Sequence, residues 1–463
     1  MSTIKCIAAA LAAVGFACSP AQAAGQAKNV IFFLGDGMGP TVVTASRIYK
    51  VGESGQLTMD TLKHTARVKT FSNDAQTTDS APSMSAYMTG VKMNNEVLSM
   101  SPDTIAVAPG KDANGNKNAV NNCAPDNGKP VETILELAKA QGKAIGAITT
   151  TELTHATPAA TYSHICHRDA VYDIAAQATP GGVGYNKLLG DGVDVLMGGG
   201  RNHWTPSVEK DDGGRADGRN LLDEMEAKGY TVAATKDKLA QAGDGKLIGL
   251  FSKKGHLQYD MDRVAGKGEE GEGRTQPSLA EMTSKAIDVL QKNPKGYFLM
   301  VEGGRIDHAL HSTNAKRALD DTVAFDEAIR VALEKVDLSN TLIVVTADHD
   351  HTMTFNGYSG RGNSILDISR SYRDGQPSKD ADGNTYTTLV FGNGPNRPDV
   401  RKSVDSAEAR SDDYHQEVGF RMGGETHGGG DVMLFADGAD AKLFKGTIDN
   451  TKVFGLMRSA LGL

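Results

Sequence analysis

Val30-Ile31-Phe32-Phe33-Leu34-Gly35-Asp36-Gly37 is an apolar run that stops on glycine and an acid. The pattern returns at Tyr297-Phe298-Leu299-Met300-Val301-Glu302-Gly303-Gly304 and at Leu342-Ile343-Val344-Val345-Thr346-Ala347-Asp348-His349. Such runs read as strands buried on both faces. Helical patterns over 279–291 and about 316–335 precede the last two, and an amphipathic stretch over 131–140 precedes a run at 144–149. Further short strands are expected at 193–197, 389–391 and 432–435. Strands alternating with helices predict an α/β fold, a three-layer sandwich with a large, mostly parallel central sheet. Functional groups in such sheets gather beyond the carboxyl ends of the strands, where Asp36, Glu302 and Asp348 fall. Segments 210–218 and 265–275 are charged, Gly-rich and expected to be exposed loops. Segment 357–423 lacks long helical periodicity and reads as an irregular insertion near the active-site end.

The chain of 463 residues is long enough for a large core, and 57 acids against 49 bases give a formal charge of −8. That balance argues against a nucleic-acid partner, and it requires an anionic substrate to be attracted by a local positive site. Lys5, the apolar run 7–16 and Ala21-Gln22-Ala23 form a signal-peptide pattern, with cleavage expected after Ala23. The alternatives are a retained anchor or lipidation at Cys18. A periplasmic or secreted protein follows, and no later run is long enough to span a bilayer. Cys123 and Cys166 would then remain in the mature chain and are expected to pair, two buried free thiols being the alternative.

The residues that carry chemistry lie in five short segments. They are Leu34-Gly35-Asp36-Gly37-Met38-Gly39, Thr78-Asp79-Ser80-Ala81, Val301 to His311, Thr346-Ala347-Asp348-His349-Asp350-His351 and Glu425-Thr426-His427-Gly428. Asp, Glu and His hold divalent cations. Asp307 and His311 are four residues apart and face one side of a helical turn. Pro82 and the small residues after Ser80 fit a helix start, so Ser80 meets the positive end of a helix dipole. Taken alone, Asp79 or Ser80 reads as an N-cap. Beside the metal-binding segments, Ser80 reads as a nucleophile.

These segments, in this order and spacing, resemble the alkaline phosphatases from about Lys28 to the C-terminus. The resemblance implies phosphate monoester hydrolysis through a phosphoserine intermediate, with broad specificity and an alkaline optimum. It implies two Zn2+ and one Mg2+ per subunit. Asp307, His311 and His427 would hold one zinc; Asp36, Asp348 and His349 would hold the other, with Ser80 as a further ligand. Asp36 would bridge to a magnesium held by Glu302 and Thr157. Arg168 would fork onto two phosphate oxygens, and His351 would steady a metal-bound carboxylate. His155 and His308, expected to stand behind the ligands, occupy positions that vary within the family; with His there the resemblance implies that phosphate is held less tightly and the magnesium site is altered. Ser252 stands where an extra calcium site of the animal enzymes has Glu, so that site is not expected. Region 357–395 is similar to the crown of the animal enzymes, which implies a homodimer. The expected organisation is thus a signal peptide at 1–23 and one catalytic domain over 24–463, with a crown-like insertion at about 357–423. A phosphodiesterase or sulfatase on the same metal core is the alternative within enzymes, and a periplasmic binding protein the alternative outside them.

Overall fold

The strand that opens at Asn29 forms the middle of the molecule. The computed structural model describes residue 25 and residues 27–111, 115–117, 120–209 and 212–463. The expected signal segment, and residues 210 and 211 of the first expected loop, lie outside them. The strands in chain order are β1 (Asn29–Gly35), β2 (His64–Lys69), β3 (Ala144–Glu152), β4 (Val195–Gly199) and β5 (Thr231–Ala233). Then come β6 (Leu247–Leu250), β7 (Tyr297–Gly303), β8 (Thr341–Thr346), β9 (Asp350–His351) and β10 (Met353–Phe355). The last are β11 (Leu389–Gly394), β12 (Val418–Arg421), β13 (His427–Gly428), β14 (Val432–Gly438) and β15 (Gly446–Asp449).

Ten of them form one sheet in the order β15-β2-β14-β8-β1-β7-β3-β4-β6-β5. Only β14 runs antiparallel to its neighbours, β2 and β8. The three runs that decided the fold are adjacent: β1 pairs in parallel with β7 on one side and β8 on the other. Leu34 is in register with both Glu302 and Thr346. Asp36, Glu302 and Asp348 therefore reach the same edge of the sheet.

β7 and β8 are buried along their whole length. A strand without an exposed face needs cover on both sides. One helical group comprises Ser80–Thr89, Ala156–Tyr162 and Asn450–Leu461, and another comprises Pro40–Val51, Leu279–Leu290 and Ala315–Lys335. The resulting core runs from Ala27 to Leu461. Each large apolar side chain taken out of water there contributes about 1.5–3 kcal/mol.

Two expectations shift. The third strand after β1 in the core was expected at 193–197 but spans Val195–Gly199, because its terminal glycines continue the pairing, Gly198 against Leu250 and Gly199 against Glu152. The expected loop at 265–275 contains a 3-10 helix, Glu269–Arg274. Segment 357–423 is irregular, as its composition predicts. It contributes β11 and β12 to a small sheet with β10 and surrounds a satellite core of Ile368, Val404 and Ala409. Cys123 and Cys166 are joined by a disulfide. Among the described residues, no helix is long and apolar enough to cross a membrane.

Candidate active site

The helix Ser80–Thr89 begins as its sequence dictates. Asp79 is the N-cap and accepts from the Ala81 amide at 2.7 Å. Pro82 sits in the first turn, where a missing N–H costs nothing. Gly90, at φ 74°, closes the other end. Capping and chemistry thus divide between neighbours: Asp79 caps, and Ser80 faces inward at 2% exposure. The helix is pinned to the end of β8, since Ser83 Oγ donates to the Asp348 carbonyl at 2.7 Å and Tyr87 Oη to that of Ala347 at 2.8 Å. Ser80 Oγ consequently lies 3.4 Å from Asp36 Oδ1 and 3.3 Å from His349 Nε2.

Three groups of ligand atoms converge around this hydroxyl, each within 4.8 Å of one another: Asp307, His311, His351 and His427; Asp36, Asp307 and His349; and Asp36, His155 and Glu302. The short helix Arg305–His311 supplies Asp307 and His311 on one side, with His311 Nε2 3.2 Å from Asp307 Oδ1. Pairing of β13 with β9 sets His427 opposite His351. His427 Nε2 reaches the same Asp307 oxygen at 3.5 Å. Asp348 joins the second group: its Oδ2 lies 3.3 Å from His349 Nε2, and its Oδ1 accepts from the amides of Gly37 and His349. Gly37 is left-handed at φ 66°, and a Cβ there would lie 2.4 Å from the His351 ring.

The donor chemistry of this set calls for cations. His311 Nδ1 donates to the Glu425 carbonyl at 2.6 Å and His427 Nδ1 to that of Thr78 at 2.9 Å. Each neutral ring then has an unprotonated Nε2, and these two nitrogens face each other at 3.1 Å. Two lone pairs that close repel unless a proton or a cation lies between them. Around a tetrahedral zinc with typical Zn–N bonds the separation is about 3.3 Å. Asp36 Oδ2, Asp348 Oδ2 and Glu302 Oε1 are buried without hydrogen-bond partners. Thr157 Oγ1 sits beside the Glu302 carboxylate yet makes no well-formed hydrogen bond. Burial, then the charges of Asp348, Asp307 and Glu302, push the Asp36 carboxyl well above the usual range. Burial likewise raises Glu302 and Asp348. These three carboxylates are so disfavoured in their ionised forms that they need positive charge beside them.

Arg168 closes the site. Its Nη1 donates to Asp79 Oδ1 and its Nη2 to His155 Nε2, both at 3.0 Å. The disulfide at Cys166 anchors the chain two residues away. His308 lies against His155, with ring centroids 5.3 Å apart.

A profile of the alkaline phosphatase family matches residues 27–463. The chain belongs to the alkaline phosphatase family. The alkaline phosphatase of Gadus morhua is 38% identical over 452 residues, covering 91% of this chain and 89% of the relative. The tissue-nonspecific alkaline phosphatase of Homo sapiens is 37% identical over 467 residues, covering 94% and 83%. The solved alkaline phosphatase of Thermus thermophilus superposes with a TM-score of 0.67 at 25% identity, covering 95% of this chain and 92% of the other. That of the Antarctic bacterium TAB5, at 22% identity, shares the fold with a TM-score of 0.64 over 95% and 98%. The protein is a metal-dependent phosphatase that hydrolyses phosphate monoesters.

Within this alkaline phosphatase, the residues singled out for metals and phosphate come to one edge of the sheet. His155 has a ring nitrogen within 4.8 Å of the Asp36 and Glu302 carboxylates, while Arg168 Nη2 donates to its Nε2. His351 lies among the donors, yet its ring is clamped between Glu425 Oε2 at 2.6 Å and Asp307 Oδ1 at 2.8 Å. Burial alone would lower His351, but these two carboxylates outweigh it and raise it to about 10.

Two neighbours escaped the sequence reading. His256 follows β6 in a charged loop with no motif around it, and only its position at a strand end could have signalled it. Glu425 lies within a quoted segment, but its role needs coordinates: its carboxylate holds His351 and its carbonyl holds His311. Glu425→Ala is expected to weaken metal binding by about 10- to 100-fold, read by competition with a chelator. Unchanged affinity would contradict that role.

Proposed function

We propose that Ser80 is the nucleophile, that Asp307, His311 and His427 hold one zinc, and that Asp36, Asp348 and His349 hold a second. Magnesium is assigned to Asp36, Glu302 and Thr157, with His155 beside it. The observation that carries this reading is the close approach of His311 Nε2 and His427 Nε2, 3.1 Å apart with each ring's Nδ1 turned to a backbone carbonyl, next to buried carboxylate oxygens that lack partners. Bound there, the ions supply charge neutralisation for the phosphoryl oxygens and lower the pKa of attached hydroxyls.

The chain's own groups supply the rest. Ser80 Oγ is held at a helix N-terminus, where the dipole favours an alkoxide and an anion. Its proton departs on the side of Asp36 Oδ1. Arg168, braced by Asp79 and His155, offers planar N–H donors to two non-bridging oxygens. Ser80 Oγ attacks phosphorus in line with the ester oxygen; the P–O bond breaks, and the alcohol leaves with a proton. Water then attacks phospho-Ser80, restoring the hydroxyl and releasing inorganic phosphate. Glu302→Gln tests the assignment, because it removes a charge from the magnesium group alone. The expected result is loss of magnesium with zinc retained, and a larger fall for monoesters than for diesters. Equal, small effects on both would oppose it.

The signal peptide and export are proposed on the N-terminal pattern. The broad specificity and alkaline optimum rest on kinship with the family. A single catalytic domain with a crown-like insertion is proposed for the mature chain, and a homodimer with it. Exposed Phe355, Tyr358, Tyr372 and Phe420 on β10, β12 and the segment between them offer apolar surface for a second copy. Sedimentation at twice the chain mass is expected, and a single-chain mass would oppose the dimer.

A further inference from the structure

Beside the phosphate site stand three imidazoles, of which His256 has no part in the scheme above. Its ring centroid lies 4.3 Å from that of His308 and 5.6 Å from that of His155. The loop after β6 is fixed in place by the chain around it. Gly255, left-handed at φ 77°, offers its carbonyl to the Gly200 amide at 2.8 Å, and the Leu257 amide donates to the Thr150 carbonyl at 3.0 Å. His256 is thereby held at the carboxyl ends of β3 and β4. Its neighbours Gly255 and Glu152 line a cavity of about 550 Å3 together with His155 and Arg168.

Each of the three rings meets a donor that fixes its tautomer. The Glu152 backbone N–H donates to His256 Nδ1 at 3.0 Å. Arg305 Nη1 meets His308 Nδ1 at 2.9 Å, and Arg168 Nη2 meets His155 Nε2 at 3.0 Å. Amide and guanidinium groups only donate, so each of these nitrogens is an acceptor and each ring is neutral. The single hydrogen of His256 and of His308 therefore sits on Nε2. Among the described residues neither Nε2–H has a hydrogen-bond acceptor, Asp307 Oδ2 lying 4.0 Å from that of His308. A further metal site does not fit, because the three rings do not form a convergent donor group as the residues around Ser80 do.

We infer that His256 and His308 form a pair of neutral N–H donors that hold the oxygens of bound phosphate beside Arg168, making His256 a determinant of phosphate affinity. This rests on the assignment of the phosphoryl site to Ser80 and Arg168. Donors that carry no charge of their own add hydrogen bonds to the anion without a further ion pair, so the pair positions phosphate without retaining the product as a cation there would.

The test compares H256F and H256Q in the metal-loaded enzyme. Phe keeps the ring contacts and removes the donor, whereas Gln retains an N–H. H256F is expected to raise both the KM for p-nitrophenyl phosphate and the inhibition constant of inorganic phosphate by about two- to tenfold, with a smaller change in kcat. Calorimetric phosphate binding should weaken by the same factor, zinc and magnesium contents should match the unaltered enzyme, and H256Q should recover most of the loss. Phosphate affinity unmoved by H256F, or H256Q no better than H256F, would overturn the inference. Should H256F fold poorly, H256Q set against H256L gives the same comparison. If phosphate fails to inhibit the unaltered enzyme, the underlying site assignment falls, and this inference with it.

Discussion

Ser80→Ala is expected to abolish the phosphoenzyme and to lower turnover of p-nitrophenyl phosphate by about a thousand- to a millionfold. The expectation follows from place as much as from residue type. The helix Ser80–Thr89 is buried along its whole length and bonded to the carbonyls of Ala347 and Asp348, so the hydroxyl cannot drift from its neighbours. Within hydrogen-bond reach Ser80 Oγ has Asp36 and His349, both proposed ligands. Alanine is a good helix former, and Asp79 still caps, so the fold and the metal content should survive. Acid quenching with radiolabelled substrate would show phosphate on the unaltered chain and none on the variant. Turnover close to that of the unaltered enzyme would refute Ser80 as nucleophile.

The second large effect is expected at Asp36, which belongs to the group with His349 and to the group with Glu302. Asp36→Asn should remove the second zinc and the magnesium together and reduce activity by about a thousandfold or more. The same change should stabilise the chelated protein. Burial and three neighbouring carboxylates raise the folded pKa of Asp36 above its unfolded value near 3.9. Its ionised form therefore opposes folding at pH values above that range, and the penalty disappears as pH falls and the group takes up its proton. A neutral amide avoids the penalty at pH 7. Function here runs against stability, as expected where a site is built to receive charge. The comparison needs only melting curves in chelator and metal counts in its absence. Retention of all ions by the variant, or a lower melting temperature in chelator, would count against the account.

The legibility of this fold varied with burial. β1, β7 and β8 were readable because both faces are covered, which makes their sequences continuous apolar runs. β2 escaped notice: only Ala66 and Val68 of His64–Lys69 are buried, and charged Arg67 and Lys69 point outward. β5 and β15 are short, with exposed residues, and carry too little apolar pattern to stand out. The donors of the site were legible because Asp, Glu and His next to glycines at strand ends are chemically conspicuous. The partners that orient them were not. The Thr78 carbonyl holding His427, the Glu425 carboxylate holding His351 and the Glu152 amide holding His256 act across 349, 74 and 104 residues of chain. Such contacts arise from packing and leave no local signature. Similarity to a known family supplied the expected metals and their order; the coordinates add buried carboxylate oxygens that, among the described residues, no donor satisfies.

The most direct measurement is zinc and magnesium content by plasma mass spectrometry, followed during chelation on the preparation whose turnover is recorded. The account predicts two zinc and one magnesium per chain, with hydrolysis of p-nitrophenyl phosphate lost in step with the zinc and restored when it returns. A chain that holds at most one ion, or that keeps its turnover after the ions are gone, would contradict it.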